Sequence, residues 1–180
     1  MNDLTMSAQV PEIAAGSFTL RPVRVSDVGL ITLYTSDKRV AENTSSIPHP
    51  LPPGAAEAFV AKSMSADASE IVWVMDSTAQ GGSELIGLIS LTKMDRNQSE
   101  IGYWVAPAFW NTGFASAAVS ALVNANALGN ATMFGSVFQG NAVSARVLTN
   151  AGFEYLGDAE TFSVARNATV ATWTYLKTLH

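Results

Sequence analysis

The segment from Ile101 to Ala115, IGYWVAPAFWNTGFA, constrains the fold more than any other part of the chain. Its first five residues have the aromatic and β-branched character of a strand, Pro107 marks a turn, and the Ala-rich stretch from Gly113 to Leu128 predicts a helix. A helix N-terminus carries unpaired N–H donors and the positive end of the helix dipole, which suit an anion such as phosphate. A simpler interpretation also fits, in which Thr112 caps an ordinary helix and Gly113 eases the turn.

A second segment, GNAVSARV from Gly140 to Val147, predicts another helix start. Asn141 is a good N-cap residue, and Ser144 falls at the third helical position, where a polar side chain can close the cap reciprocally. That local role explains both residue types without any ligand. When both segments are considered together, the alternative is that Asn141 and Ser144 have a functional role.

Together the two segments resemble the GNAT superfamily of N-acetyltransferases. The run WNTGFA occupies the place of the pyrophosphate-binding signature Gln/Arg-x-x-Gly-x-Gly/Ala. IGYWVAPAFWNTGFASAAVSAL, followed about one element later by VFQGNAVSARVLTNAGF, resembles the branch that contains the RimJ and RimL ribosomal-protein N-terminal acetyltransferases, as does the opening SFTLRPVRVSDVGLITLYTSD. The resemblance runs from Phe18 to Leu176 and implies an α+β fold: a mostly antiparallel, mixed and twisted sheet flanked by helices, with splayed strands that hold acetyl-CoA.

The resemblance also implies how coenzyme A is held. Backbone amides of the loop would bind its pyrophosphate, and the strand before the loop would supply main-chain groups to its pantetheine arm. In the branch the residue matching Asn141 contacts that arm, and the one matching Ser144 lies near the thiol; Arg146 could reach the phosphates or face solvent. The implied cofactor-binding residues are Trp104, Val105, Asn111, Thr112, Gly113, Phe114, Ala115, Asn141, Ser144 and Arg146.

Three positions depart from the family pattern. Asn111 and Thr112 stand where the family usually has Gly and a basic residue, but the backbone donors matter more and Gly113 is retained. Many members use a Tyr as general acid at the position that Leu148 occupies here. Ser144 is then the alternative, while Tyr155 is close in sequence but not at the motif position.

Transfer to an amine requires a base for the ammonium proton and a proton for the leaving thiolate. Glu100 is the best-placed carboxylate, because strand alternation puts it on one face with Gly102 and Trp104; the alternative is a solvated Glu at a strand end. Tyr103 then points to the opposite face, so we expect at most one of Tyr103 and Trp104 to line the pocket. Ser144 is the second catalytic candidate.

The acceptor end is predicted from the stretch around His49. Pro48 and Pro50 restrict the backbone on both sides of His49, and in this branch the stretch tends to lie over the acceptor end of the cleft. The imidazole pKa range suits a base, although a lone loop His is more often merely exposed. His49 and Trp104 are therefore the candidates for substrate binding.

Composition restricts the remaining possibilities. A net charge of −5 argues against nucleic-acid binding, and the absence of Cys, with only two His residues, argues against a metal site. Charged residues make up only 14% of the chain, against about 25% in typical domains, which favours a partly covered surface and a homodimer. No stretch approaches the roughly 20 apolar residues of a membrane span, and the N-terminus does not resemble a signal peptide, so we expect a cytoplasmic protein.

The remaining pattern predicts one domain over residues 17–180, preceded by a flexible segment at residues 1–16. Ser26 is the predicted N-cap of the first helix, Gly129 the stop of the central helix, and residues 42–54 are irregular. Strands are expected at 18–23, 71–76, 84–93, 99–105, 131–137, 153–157 and 169–177, and helices at 26–36, 55–64, 113–128 and 141–151. Three functions fit: an N-acetyltransferase acting on a protein N-terminus or a small amine, a non-catalytic acyl-coenzyme A-binding module, or an α/β interaction domain without cofactor.

Overall fold

The computed structural model of the protein describes residues 10–180, so residues 1–9 of the predicted flexible segment lie outside the described residues. The rest of that segment, residues 10–16, contacts the domain. Ile13 and Ala14 pair antiparallel with Leu20 and Thr19, and Ile13 is buried. This part of the segment is folded onto the sheet, which differs from the expected domain start at residue 17.

One eight-stranded sheet runs through the domain in the order β1-β2-β3-β4-β5-β6-β8-β7. All neighbouring strands are antiparallel except β5 and β6, which are parallel. The strands are β1 (Ile13–Ala14), β2 (Thr19–Pro22), β3 (Glu70–Asp76), β4 (Gly87–Met94), β5 (Gln98–Val105), β6 (Thr132–Phe138), β7 (Glu154–Ser163) and β8 (Ala168–Thr178). The mixed, mostly antiparallel sheet flanked by helices is confirmed.

Helices cover both faces of the sheet. They are α1 (Val28–Thr35), α2 (Lys38–Ala41), α3 (Ala55–Ser63), α4 (Phe114–Ala125) and α5 (Ala142–Asn150), with short 3-10 turns at Val25–Asp27, Thr78–Gln80 and Pro107–Phe109. Alternating strand residues separate the two cores: Val72 and Val74 pack on the side of α1 and α3, whereas Trp73 and Met75 pack on the side of α4 and α5. Within residues 10–180, no helix has the length and apolar character to cross a membrane.

Two helix ends differ from the sequence prediction. The first helix is preceded by a 3-10 turn whose N-cap position is Arg24, not Ser26, because the Asp27 carboxylate turns inward and accepts the Arg24 N–H at 2.7 Å. The central helix α4 ends at Ala125, since Asn126 adopts a left-handed φ of 40° and its side chain bonds the backbone of Asn130. Local polar side chains therefore decide both ends.

The hairpin of β7 and β8 is longer than predicted. Most side chains of β7 are exposed, so this strand lacks the apolar alternation that would have shown its length. The tip of the hairpin packs on residues 42–46: the Val164 N–H donates to the Ser45 carbonyl at 3.0 Å, and Arg166 Nε donates to the Glu42 carbonyl at 3.0 Å. The hairpin and the irregular stretch thus meet beside the cleft described below.

Candidate active site

A cleft opens where β5 and β6 stop pairing. Their parallel register ends at Ile101 and Gly135, although β5 continues to Val105 and β6 to Phe138. A Cβ at Gly135 would lie 2.8 Å from Leu148 Cδ1, so only glycine lets α5 pack this closely at the point of separation. Beyond that point lies a cavity of about 800 Å³ lined by both strands, by α3 and by residues 43–48. The splayed pair expected from the resemblance is present.

The main-chain groups that face the gap belong to alternate residues of β5. The carbonyl of Asn97, just before β5, accepts the Ala131 N–H at 2.7 Å, which directs the odd-numbered residues toward β6. Tyr103 and Val105 therefore face the gap, and the main chain of Trp104 faces β4. This corrects the expectation that Trp104 supplies main-chain groups to a pantetheine arm. For Val105 the same expectation stays a prediction.

The loop before α4 leaves its amide groups free. Gly113 is the N-cap with φ 83°, and Asn111 has φ 60°; both are left-handed conformations that Gly and Asn adopt at least cost. Within residues 10–180, no N–H group from 111 to 116 donates a hydrogen bond to the protein. The Thr112 hydroxyl donates to the Phe109 carbonyl and caps no helix, so the simple capping interpretation of Thr112 is wrong. The exposed amides suit an anion.

Neighbouring side chains hold this loop in place. Phe114 packs edge-on against Phe18, with ring centroids 5.3 Å apart, and Trp110 Nε1 donates to the Val105 carbonyl at 2.7 Å, while Ala115 packs on the core. The Arg39 guanidinium lies 5.6 Å from the centroid of the Trp110 ring and is paired with Asp37. A cation therefore adjoins the loop although Thr112 replaces the family's basic residue.

The start of α5 forms one wall of the cleft. The Asn141 side chain accepts the Ser144 N–H at 3.1 Å, which confirms Asn141 as an N-cap. Ser144 Oγ does not complete a reciprocal cap; it lies 3.1 Å from the hydroxyl of Tyr103, which is also 3.2 Å from the Ser144 carbonyl. The reciprocal-cap interpretation of Ser144 is therefore wrong.

Sequence reasoning missed Tyr103 as a site residue. Tyr103 and Trp104 do point to opposite faces, yet both line the cavity, because the gap between the strands cuts through the sheet. Burial raises the pKa of Tyr103 to about 12, outweighing the opposite effect of its hydrogen bond with Ser144. The phenol is thus protonated at neutral pH.

Glu100 lies on the cavity wall on the same face as Gly102 and Trp104, as alternation predicted. Within residues 10–180 its carboxylate has no hydrogen-bond or ion-pair partner, and desolvation by the cavity walls raises its pKa. Its side chain stays open to the cleft. The Glu100 carboxylate is therefore accessible from the cleft and has no neutralising cation among the described residues. These properties suit a general base.

Several candidates lie away from the cavity. His49 does not line it, although Pro48 does, and the Nδ1 of His49 is buried without a hydrogen-bond partner. Arg146 is exposed on α5, and Tyr155 is exposed on β7, where its hydroxyl donates to Asp158 at 2.5 Å. The cavity instead brings together Glu100, Tyr103, Trp104, Asn141 and Ser144.

A splayed parallel strand pair, with a free amide loop at the end of one strand and an unpaired carboxylate open to the cleft along it, is the arrangement of an acetyltransferase of the GNAT class. The acetyltransferase (GNAT) domain model matches residues 17–154, and the chain belongs to this family. An uncharacterized N-acetyltransferase of Bacillus subtilis (strain 168), YoaA, is 37% identical over 78 residues, which cover 41% of this chain and 44% of that protein. The matched part thus spans less than half the length of this relative.

Solved structures show the same fold over nearly the whole chain. The ribosomal L7/L12 α-N-protein acetyltransferase RimL in complex with coenzyme A superimposes with a TM-score of 0.80 at 14% identity, covering 94% of this chain and 98% of that one. RimJ of Mycobacterium smegmatis in complex with CoA-disulfide gives a TM-score of 0.77 at 19% identity, covering 96% and 88%. Acetyl-CoA is the acetyl donor of the family.

Proposed function

We propose that this protein is an N-acetyltransferase that transfers the acetyl group of acetyl-CoA to a primary amine by direct attack on the thioester. The observation that carries the proposal is the continuity along β5: free loop amides after its end, the main chain of Tyr103 and the N–H of Val105 facing the gap, and Glu100 on the wall. The chain therefore offers donors for a pyrophosphate, a strand edge for an amide-bearing arm, and a base. Kinship with the RimJ and RimL branch is part of the proposal.

The residues of the cleft divide the proton transfers between them. When bound, acetyl-CoA supplies a thioester whose carbonyl carbon forms the new C–N bond while the C–S bond breaks and sulfur keeps the electron pair. Glu100 accepts one proton from the acceptor ammonium, so that the neutral amine can attack, and its raised pKa makes it a stronger base than an ordinary carboxylate. The nitrogen loses a second proton as the amide forms, and the leaving thiolate takes up a proton to become the thiol. Ser144 donates a hydrogen bond toward the sulfur. The proposal thus assigns to Glu100 and Ser144 the catalytic roles that the sequence predicted.

The charge of the cavity supports a cationic acceptor. Among residues 10–180, its lining contains Glu70, Glu100 and Glu160 but only one basic side chain, Lys62. Glu70 and Glu100 lie on the same face with Thr92 between them, since Thr92 is the register partner of both. Negative charge on a concave wall attracts an ammonium group. Both a peptide N-terminus and a small-molecule amine fit this requirement, and Trp104 would supply the apolar wall.

A variant of the loop tests the donor site. The conformation of Gly113 would strain Val or Ala, but Asn tolerates left-handed φ, and a side chain at residue 113 would enter open space. We expect Gly113→Asn to weaken coenzyme A binding in titration calorimetry at least about tenfold, or about 1.4 kcal/mol. Gly129→Asn is the matched control, because Gly129 also has a positive φ and open surroundings but lies beyond α4. Equal affinity in the two variants would contradict the placement.

Turnover separates the three functions. Thiol release from acetyl-CoA should be measured with a panel of peptides and small amines. Binding without thiol release for any amine would favour the acyl-coenzyme A-binding module, and absence of binding would favour the interaction domain. The amine that raises kcat/KM most also identifies which kind of acceptor the cleft recognises.

Two expectations remain part of the proposal: a cytoplasmic location and a homodimer. The exposed apolar side chains of the edge strand β7, among them Tyr155, Leu156 and Phe162, support an association surface. Light scattering at micromolar concentration tests the dimer. A monomer would contradict it, and Phe162→Ser should shift a dimer toward monomer.

A further inference from the structure

The phenol of Tyr103 reaches across the cleft from β5 to the first turn of α5. We infer that Tyr103 is a positioning residue that orients the Ser144 hydroxyl so that its proton points into the cleft, toward the leaving sulfur. This inference rests on the proposed function. It assigns a role to a residue for which the resemblance implied none.

The hydrogen-bond geometry supports this role. The Tyr103 hydroxyl has one proton and two acceptors on Ser144: Oγ at 3.1 Å and the carbonyl oxygen at 3.2 Å. The carbonyl also has the Leu148 N–H as its regular helical partner. If the phenol donates to Oγ, the Ser144 proton must turn away from Tyr103, and the cleft is the open direction. If Tyr103 were absent, the hydroxyl could rotate back to a carbonyl of its own helix.

The phenol acts by orientation and not as a proton carrier. Its pKa is raised to about 12, because its environment is largely desolvated. An alkyl thiol has a pKa of about 8.5, so passing the phenol proton to a thiolate would be unfavourable by roughly 3.5 pKa units, a factor on the order of a thousand. A phenol that keeps its proton can still hold Ser144 in one rotamer throughout the reaction.

Kinetics of a double-mutant cycle test the coupling. We expect Tyr103→Phe to lower kcat about threefold to tenfold, with the KM for acetyl-CoA unchanged within about twofold. In a Ser144→Ala background the same change should have an effect below about twofold, since the residue it orients is gone. Tyr175→Phe is the matched control, because Tyr175 is buried in the same core but lies outside the cavity. Full multiplication of the two single effects would overturn the inference.

A spectroscopic measurement on the protein without ligand tests the contact itself. The chain has only four tyrosines, so labelling the ring carbon that bears the hydroxyl with ¹³C gives a simple spectrum, in which Tyr103→Phe identifies the Tyr103 signal. Ser144→Ala should shift that signal and leave the Tyr175 signal in place. An unmoved Tyr103 signal would overturn the inference.

The pH profile of the variant and the activity of the wild-type protein complete the test. Tyr103→Phe should leave both limbs of the pH profile in place, and loss of a limb would mean that the phenol carries a proton, which also overturns the inference. An inactive wild type would refute the proposed function. An active wild type with independent single-mutant effects would refute only the role of Tyr103.

Discussion

Two regions of the molecule hold carboxylates in opposite ways. In the cluster between β2, β3 and the turn before α1, Arg21 donates to Asp27 at 2.9 and 2.8 Å and to Asp76 at 2.6 Å, and all three residues are buried. In the cleft, Glu100 faces open space, and no cation of the described part of the chain, residues 10–180, forms an ion pair with it. In the first arrangement every charged side chain has an ion-pair partner. In the second, the charge of the Glu100 carboxylate has none among the described residues.

The pKa shifts of the two regions differ in sign for this reason. Burial alone would raise the pKa of Asp76, but hydrogen bonds from Thr78 and the guanidinium of Arg21 lower it. Burial raises the pKa of Glu100 and nothing opposes it. A paired carboxylate therefore contributes to folding, whereas an unpaired one in a cleft is suited to accept a proton.

The largest expected effect comes from breaking the buried cluster. Arg21→Met would leave Asp27 and Asp76 buried without their cation, and we expect it to lower the free energy of unfolding by about 3 to 5 kcal/mol. Urea denaturation at pH 7 measures this. Lys38→Met is the control, because Lys38 forms an exposed pair with Glu42 at 3.7 Å and should cost less than about 0.5 kcal/mol. Similar losses in both variants would remove the distinction between the regions.

The next effect concerns activity. Glu100→Gln should lower kcat/KM about a hundredfold, or about 2.7 kcal/mol, since it removes the base without removing a packed group. The acidic limb of the pH profile should disappear with it. Glu154→Gln, on the exposed edge strand, should change neither. A retained acidic limb in Glu100→Gln would point to the amine of the substrate itself as the titrating group.

The smallest effect is a difference in how stability depends on pH. The lowered pKa of Asp76 means that its contribution is present above the ordinary Asp value of 3.8 and is lost as pH falls through the lower folded value. Glu100 acts in reverse: its raised pKa makes the fold less stable as pH rises from the ordinary Glu value of 4.5 through the higher folded value. Unfolding of wild type and Glu100→Gln from pH 3 to 8 should show the variant losing less stability above pH 4.5; parallel curves would contradict the shift.

The sequence by itself determined the features that depend on neighbouring residues. Alternation along β5 placed Glu100, Gly102 and Trp104 on one face, and the turn chemistry of residues 111–113 marked the start of α4. Asn141 was identified as a helix cap for the same reason. Each of these follows from local backbone geometry, and together with the resemblance they sufficed for the fold class.

Only the tertiary structure decided which side chains meet. Tyr103 and Ser144 are 41 residues apart, and Arg21 and Asp76 are 55 apart; neither contact leaves a local pattern. The direction in which the main chain of β5 faces the gap is set by its register with β4 and β6, and Leu148 packs over Gly135 at the point where the two strands separate. Strand register and helix packing are long-range properties, because they arise when distant segments bury their surfaces together.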